Sequence, residues 1–285
     1  MTKTAADPAP VSTFDWPPLI VANAPNGATR TAADHPALPM SAKDLARTAA
    51  ESLEAGAALL HFHVRDAEGR HLLDADAYRD ASAAIRAAVG DRLVLQITSE
   101  AAGRYRAPEQ MAVVRAVRPE AVSLALREII PDDAAETAAA DFFAFLRRER
   151  ILIQIILYSA QDVVRYGSLK ARGVLGEGQD FPLFVLGRYT TGQASQPTDL
   201  LPFLAAGAEI APLWSMCAFG PKENACASVA AGLGGHVRVG FENNLFAPDG
   251  TLAQNNAAQV QRACAAARTL GRPLASADMA RMLMA

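Results

Sequence analysis

The 285-residue chain has only three cysteines, Cys217, Cys226 and Cys264, and no two of them form a C-x-x-C pair. An odd number without redox or metal-finger spacing argues against a disulfide framework, so a reducing, cytoplasmic setting is expected. Aromatic residues are scarce at 6%, and charge is nearly balanced, with 27 Lys and Arg against 30 Asp and Glu for a net −3. There is no basic run to give the electrostatic footprint of a nucleic-acid or anionic-membrane partner, so neither is expected. Apolar runs are short: even "ILIQIILY" is interrupted by Gln154 and falls well under the ~18 residues of a membrane span. The opening "MTKTAADPAPVSTFDWPP" lacks an apolar core, so residues 1–17 read as a poorly ordered lead-in and not as a signal peptide. G-x-G-x-x-G is missing too: the first strand candidate is followed by "PNGATR", which removes the dinucleotide fingerprint.

What the chain does have is repetition. Short β-rich runs fall near 19–25, 58–64, 92–98, 121–126, 151–158, 181–187, 210–216 and 236–242, with Ala-rich amphipathic stretches between them. "SAKDLARTAAESLEAG" begins on Ser41 as an N-cap and ends on a glycine, and "DADAYRDASAAIRAAVG" repeats this punctuation with Asp74 and Gly90. Strands that alternate with helices pair in parallel, because a parallel partner needs a crossover. Eight such units without a linker match the size of a closed barrel of roughly 250 residues better than an open sheet. The expectation is one α/β domain over residues 18–285, a (β/α)₈ TIM barrel with its site at the C-terminal strand ends.

The polar residues at those ends carry the chemistry. In "HFHVRD", His61, His63 and Arg65 share one face, while Phe62 and Val64 suit packing on the helix ring. Two imidazoles on alternate residues at a barrel mouth can converge on one metal; the bland alternative is a pair of hydrogen-bonded core histidines. In "HVRVGFENN", Arg238, Gly240 and Glu242 share a face, and Glu242 can complete a two-His, one-carboxylate set or pair with Arg238 or Arg65. Such ligands suit zinc and also non-haem iron. Asn23, Gln96, Thr98, Ser99, Ser123 and Gln154 add polarity on inner faces or strand ends. Arg104, Arg106, Arg127, Arg188 and Lys222 fall in the loops, where they either meet a phosphorylated ligand or are solvated.

The run "LPMSAKDLARTAAESLEAGAALLHFHVRDAEGRHLLDADAYRDASAAIR", the segment "PEAVSLAL" and "LGGHVRVGFENNL" resemble the β-keto acid cleavage enzymes, whose founding activity is 3-keto-5-aminohexanoate cleavage. The resemblance runs from about Pro18 to Leu270. It implies a zinc-bearing (β/α)₈ barrel that condenses a β-keto acid with acetyl-CoA and releases acetoacetate and a new acyl-CoA. It also implies a homodimer or homotetramer, a metal held by His61, His63 and Glu242, and catalytic roles near Arg238. Four departures stand out. The family usually continues "G-L-E-D-N", where this chain has Asn243; its strand-3 end is typically "S-T-G-G", where this chain reads Thr98, Ser99, Glu100, Ala101. Thr29 of "NGAT" replaces an acid after strand 1, and "IQIILYSA" lacks the acids of the family's fifth strand. The resulting expectation is an acyltransferase with a substrate altered from the founding one. Arg238, Asn243 and Glu100 are its catalytic candidates; Asn26, Thr29, Thr98, Ser99, Ser123 and Arg65 are its substrate-binding candidates. The alternatives are another metal-assisted hydrolysis or aldol-type cleavage on the same barrel, or a metal- and ligand-binding homologue without catalysis.

Overall fold

A computed structural model describes residues 16–207 and 210–285. Its ten strands are β1 (Val21–Asn23), β2 (Leu59–Phe62), β3 (Val64–Arg65), β4 (His71–Leu72), β5 (Val94–Thr98), β6 (Ala121–Ala125), β7 (Leu152–Leu157), β8 (Phe181–Leu186), β9 (Ser215–Ala218) and β10 (His236–Val239). Eight of them close a parallel barrel in the order β1-β10-β9-β8-β7-β6-β5-β2, and β3 with β4 forms a small antiparallel hairpin at its rim. The principal crossover helices are α1 (Ala42–Ala55), α2 (Ala75–Val89), α3 (Ala107–Val117), the single turn α4 (Leu126–Ile129), α5 (Glu136–Arg148), α6 (Ala160–Ala171), α7 (Leu201–Gly207) and α8 (Glu223–Gly232). Two more, α9 (Asn256–Thr269) and α10 (Ala277–Met284), follow the last strand. The expected barrel is the fold observed. No helix among the described residues is long and apolar enough to cross a membrane.

Local chemistry sets the element ends. Ser41 accepts from the Asp44 N–H and Asp44 answers to the Ser41 N–H, a capping box, and α1 stops at Gly56 in the left-handed region at φ 108°. Asp74 caps α2 in the same manner. Several strand boundaries differ from the sequence expectation, two of them for clear local reasons. The seventh barrel strand starts at Ser215, not near residue 210, because Pro212 brings no N–H to a ladder and Trp214 stacks on Phe184 at 5.5 Å outside the barrel. The second ends at Phe62, after which Val64 and Arg65 leave the barrel and pair with His71 and Leu72. Of the expected lead-in, residues 1–15 lie outside the described residues, while Arg272 donates to the Pro17 carbonyl at 2.9 Å and lies over the Trp16 ring.

The barrel floor is apolar and the mouth polar. Ile20, Leu59, Val94, Phe181 and their neighbours cluster with Ala277, Ala280 and Met284, so α10 plugs the N-terminal end. His236 lies at this end and is structural: its Nδ1 accepts the Ile20 N–H at 2.9 Å. Burial, helped by Arg272, pushes its imidazole down to about 3. The unfolded chain takes up that proton near 6.5, so the contribution of a neutral His236 is full above that pH. It is lost as the pH falls toward 3, at about 1.4 kcal/mol per unit. Thermal unfolding followed from pH 7 to 4 should show a falling midpoint, with a shallower fall in His236→Asn, which keeps an acceptor for Ile20. An identical slope in the variant contradicts this origin.

Candidate functional site

Three side chains converge above the barrel. His61 ends up inside because period-two alternation on β2 sends Phe62 outward against Tyr78 of α2, at a ring distance of 5.9 Å. His63 follows one residue past the strand, and Asn26 fixes its backbone: the His63 N–H donates to Asn26 Oδ1 at 3.2 Å and the His63 carbonyl accepts from Nδ2 at 2.9 Å. Glu242 is not on β10, as the sequence reading had it, but in the turn beyond. There Gly240, at φ 140°, reverses the chain where a Cβ would stand 2.4 Å from Asn23 Oδ1. Glu242 Oε2 lies 3.5 Å from His61 Nε2 and 3.4 Å from His63 Nε2. All three ligand atoms fall within 4.8 Å of one another.

The opposite nitrogens determine what these atoms offer. Gln96 Oε1 lies 2.9 Å from His61 Nδ1, so that nitrogen carries the hydrogen and Nε2 presents a lone pair. Burial first, then Arg238, pushes His61 down to about 3 and keeps it neutral. The His63 tautomer is fixed one step further away. His71 Nε2 faces the Glu100 carbonyl at 2.8 Å and must donate, which leaves its Nδ1 to accept from His63 Nδ1 at 3.5 Å. His63 Nε2 and Glu242 Oε2 then remain buried without a hydrogen-bond partner among the described residues. Burial works against the Glu242 carboxylate, but Arg238 outweighs it and the group is held well below the usual range. Arg238 Nη2 donates to its Oε1 at 2.9 Å. Two imidazoles and one ionised carboxylate, with their ligand atoms gathered about a common point, fit a divalent cation.

A narrow cavity opens over this set, lined by His61, Thr98, Glu100, Arg238 and Glu242 on one side and by Ala125, Ile156, Tyr158, Val185 and Phe219 on the other, with Arg188 at its edge. A recess beside it adds Asn26, Thr29 and Arg30. Thr98 and Glu100 therefore reach the cavity, and Asn26 and Thr29 its upper recess. Ser99, Ser123 and Arg65 are not among the wall residues. The Ser99 hydroxyl turns to the Ser123 carbonyl at 3.3 Å, and the Ser123 hydroxyl is buried without a partner among the described residues. Arg65 faces away from His61: its two terminal nitrogens bind the carbonyls of Asn26, Gly27, Ala28, Arg30 and Gly69 and tie the first loop to the hairpin. The Asn243 carboxamide is fully buried, unpartnered among the described residues, and also outside the wall. Asn23, read as inward-facing, instead donates to Ser52 on α1.

Two contributors escaped the sequence reading. His71 sits on the hairpin arm opposite Arg65, and the only signal for it was the turn-forming "DAEG" between two β-rich stubs. Glu223 opens α8, is buried, and accepts the Gly240 N–H at 3.0 Å beneath the Glu242 turn; burial raises its carboxyl to about 8. No sequence pattern marked Glu223, because the turn it supports begins seventeen residues away.

The chain has clear relatives. A family profile described as beta-keto acid cleavage enzyme matches residues 18–285. A 3-keto-5-aminohexanoate cleavage enzyme of Fusobacterium nucleatum is 28% identical over 274 residues, 93% of this chain and 97% of that protein. A 3-oxoadipate:acetyl-CoA acetyltransferase of Cupriavidus necator is 26% identical over 280 residues, 94% of each. Among solved structures, apo ObcA superposes with a TM-score of 0.72 at 19% identity, covering 87% of this chain and 65% of its own. This chain thus spans less than two thirds of ObcA, and the likeness is one of fold.

Gly27 tests how tightly the site is assembled. Its φ is +60°, and a Cβ there would lie 2.6 Å from Glu242 Cγ. Gly27→Ala should cost about 1–3 kcal/mol by combined backbone strain and overpacking, read as a lowered unfolding midpoint. An unchanged midpoint would show that Glu242 is free to move aside.

Proposed function

Since the chain belongs to the beta-keto acid cleavage enzyme family, we propose that its barrel transfers an acyl group between a β-keto acid and acetyl-CoA, with zinc held by His61, His63 and Glu242. Acetoacetate and a new acyl-CoA are the products. The observation that carries the metal assignment is the convergence of His61 Nε2, His63 Nε2 and Glu242 Oε2, within 3.5 Å along each His–Glu edge and without a hydrogen bond to satisfy the last two. When bound there, the metal supplies Lewis acidity to the keto acid's oxygens and stabilises charge that develops as the C–C bond breaks.

The protein's own residues do the rest. Arg238 is buried, and its Nε and Nη1 lack partners among the described residues, so it has donors in hand for a substrate carboxylate while Nη2 holds Glu242. Gln96 and His71 keep the ligating imidazoles in one tautomer. Thr98 lines the cavity and bonds the Glu100 N–H at 3.0 Å, which aims that residue. A proton must leave C2 of the keto acid before that carbon can attack acetyl-CoA. Glu100 lines the cavity with Oε2 3.9 Å from His63 Nδ1 and is not held by Arg238, which makes it our candidate base. Asn243 keeps the shape of an acid but cannot accept a proton at working pH. A homodimer or homotetramer in the cytoplasm is part of the same proposal.

Two experiments address this reading. Protein purified without chelator should carry close to one zinc per chain by elemental analysis, and Gln96→Leu should weaken metal affinity by about 10–100-fold. Absence of metal after reloading contradicts the assignment. In a coupled assay for acetoacetate, Glu100→Gln should lower kcat by about 10²–10⁴-fold. If instead Glu100→Gln is silent and Asn243→Asp raises the rate, the proton is handled at the β10 turn.

A further inference from the structure

The cavity is divided by chemistry. His61, Thr98, Glu100, Arg238 and Glu242 stand on the side of β2, β5 and β10. Apart from the Tyr158 hydroxyl, the facing wall is apolar: Ala125, Ile156, Val185 and Phe219 form, with Leu183 and Cys217, a cluster separate from the main core, and the Tyr158 ring packs against it. Register explains the wall, since Ala125 pairs with Ile156, Ile156 with Leu183, and Val185 with Cys217 across adjacent strands. Alternation then turns Leu183 and Val185 to the lumen and Phe184 and Leu186 to the main core.

The charges in the cavity cancel in pairs. Arg238 meets Glu242 at 2.9 Å, and Arg188 meets Glu100 at 3.5 Å while its guanidinium lies over the Phe219 ring at 5.3 Å. No lining residue on the apolar wall is a carboxylate, ammonium or guanidinium. With the substrate carboxylate directed to Arg238 and the metal ligands, the acyl part must extend along Ile156 and Val185. A cation or a second carboxylate there would have to draw Glu100 or Arg188 from its partner, or be buried uncompensated.

Resting on the acyltransfer reading above, we propose that this enzyme selects β-keto acids whose acyl part is uncharged, and that Ile156 is a specificity-determining residue. The substrate class thereby differs from an amino-bearing keto acid such as 3-keto-5-aminohexanoate and from a dicarboxylate such as 3-oxoadipate.

The test uses the metal-loaded enzyme at fixed acetyl-CoA with three substrates: 3-oxohexanoate, 3-keto-5-aminohexanoate and 3-oxoadipate. The expected kcat/KM is at least about a hundredfold higher for 3-oxohexanoate than for either charged acid. Calorimetric Kd values for 3-hydroxyhexanoate and 3-hydroxyadipate, which lack the keto group that is cleaved, should follow the same order. Ile156→Glu should shift the ratio of kcat/KM values toward the amino acid by about tenfold or more; should that variant not fold, the wild-type panel and the two Kd values still decide. A charged substrate turned over as well as or better than 3-oxohexanoate overturns this inference and leaves the acyltransfer reading standing. Failure to cleave any of the three overturns both.

Discussion

Three ligand atoms pointing at one place, two of them denied a hydrogen bond, are the constraint on which the site depends. A buried acceptor left unmade costs about 1–3 kcal/mol, so such a cluster persists only where the surrounding structure over-determines it. Each donor atom is fixed from behind: His61 by Gln96, His63 by His71 and by Asn26 through its backbone, Glu242 by Arg238. The barrel makes the meeting possible because closure sets only β1 between β2 and β10, so residues 181 positions apart in sequence, His61 and Glu242, face each other across one strand. The loop after β1 then packs beneath Glu242, which is why Gly27 tolerates no side chain.

Much of this was readable in the sequence, for identifiable reasons. Eight strand–helix units and capped helices are local signals, and Ser41, Asp74, Gly56 and Gly90 stand where local chemistry put them. The H-x-H spacing exploits strand alternation, so its inward direction followed from Phe62 and Val64 alone. The errors arose where the chain leaves regular geometry. Gly240 ends the alternation that had been extended to Glu242, and the β3–β4 hairpin removes Arg65 from the face it shared with His61 on paper. His71 and Glu223 act through contacts that no short window contains.

The electrostatic arrangement connects site and substrate. Before any ligand arrives, two arginines and two glutamates neutralise one another around the cavity, and the wall facing them is hydrocarbon apart from the Tyr158 hydroxyl. Ile156 on the fifth barrel strand and Tyr158 just beyond it line the side facing the metal ligands, and Glu100 places a carboxylate on the metal side. That separation, metal ligands at the end of β2 and in the β10 turn with an apolar wall across the mouth, lets a barrel set substrate choice apart from its reaction chemistry.

The most direct test of the central claim is anomalous diffraction at the zinc absorption edge from crystals of the zinc-loaded protein. The account predicts one strong peak bonded to His61 Nε2, His63 Nε2 and a Glu242 carboxylate oxygen, with Zn–N distances of about 2.0–2.1 Å. A zinc-loaded crystal with no peak there, or with its peak on other side chains, would contradict it.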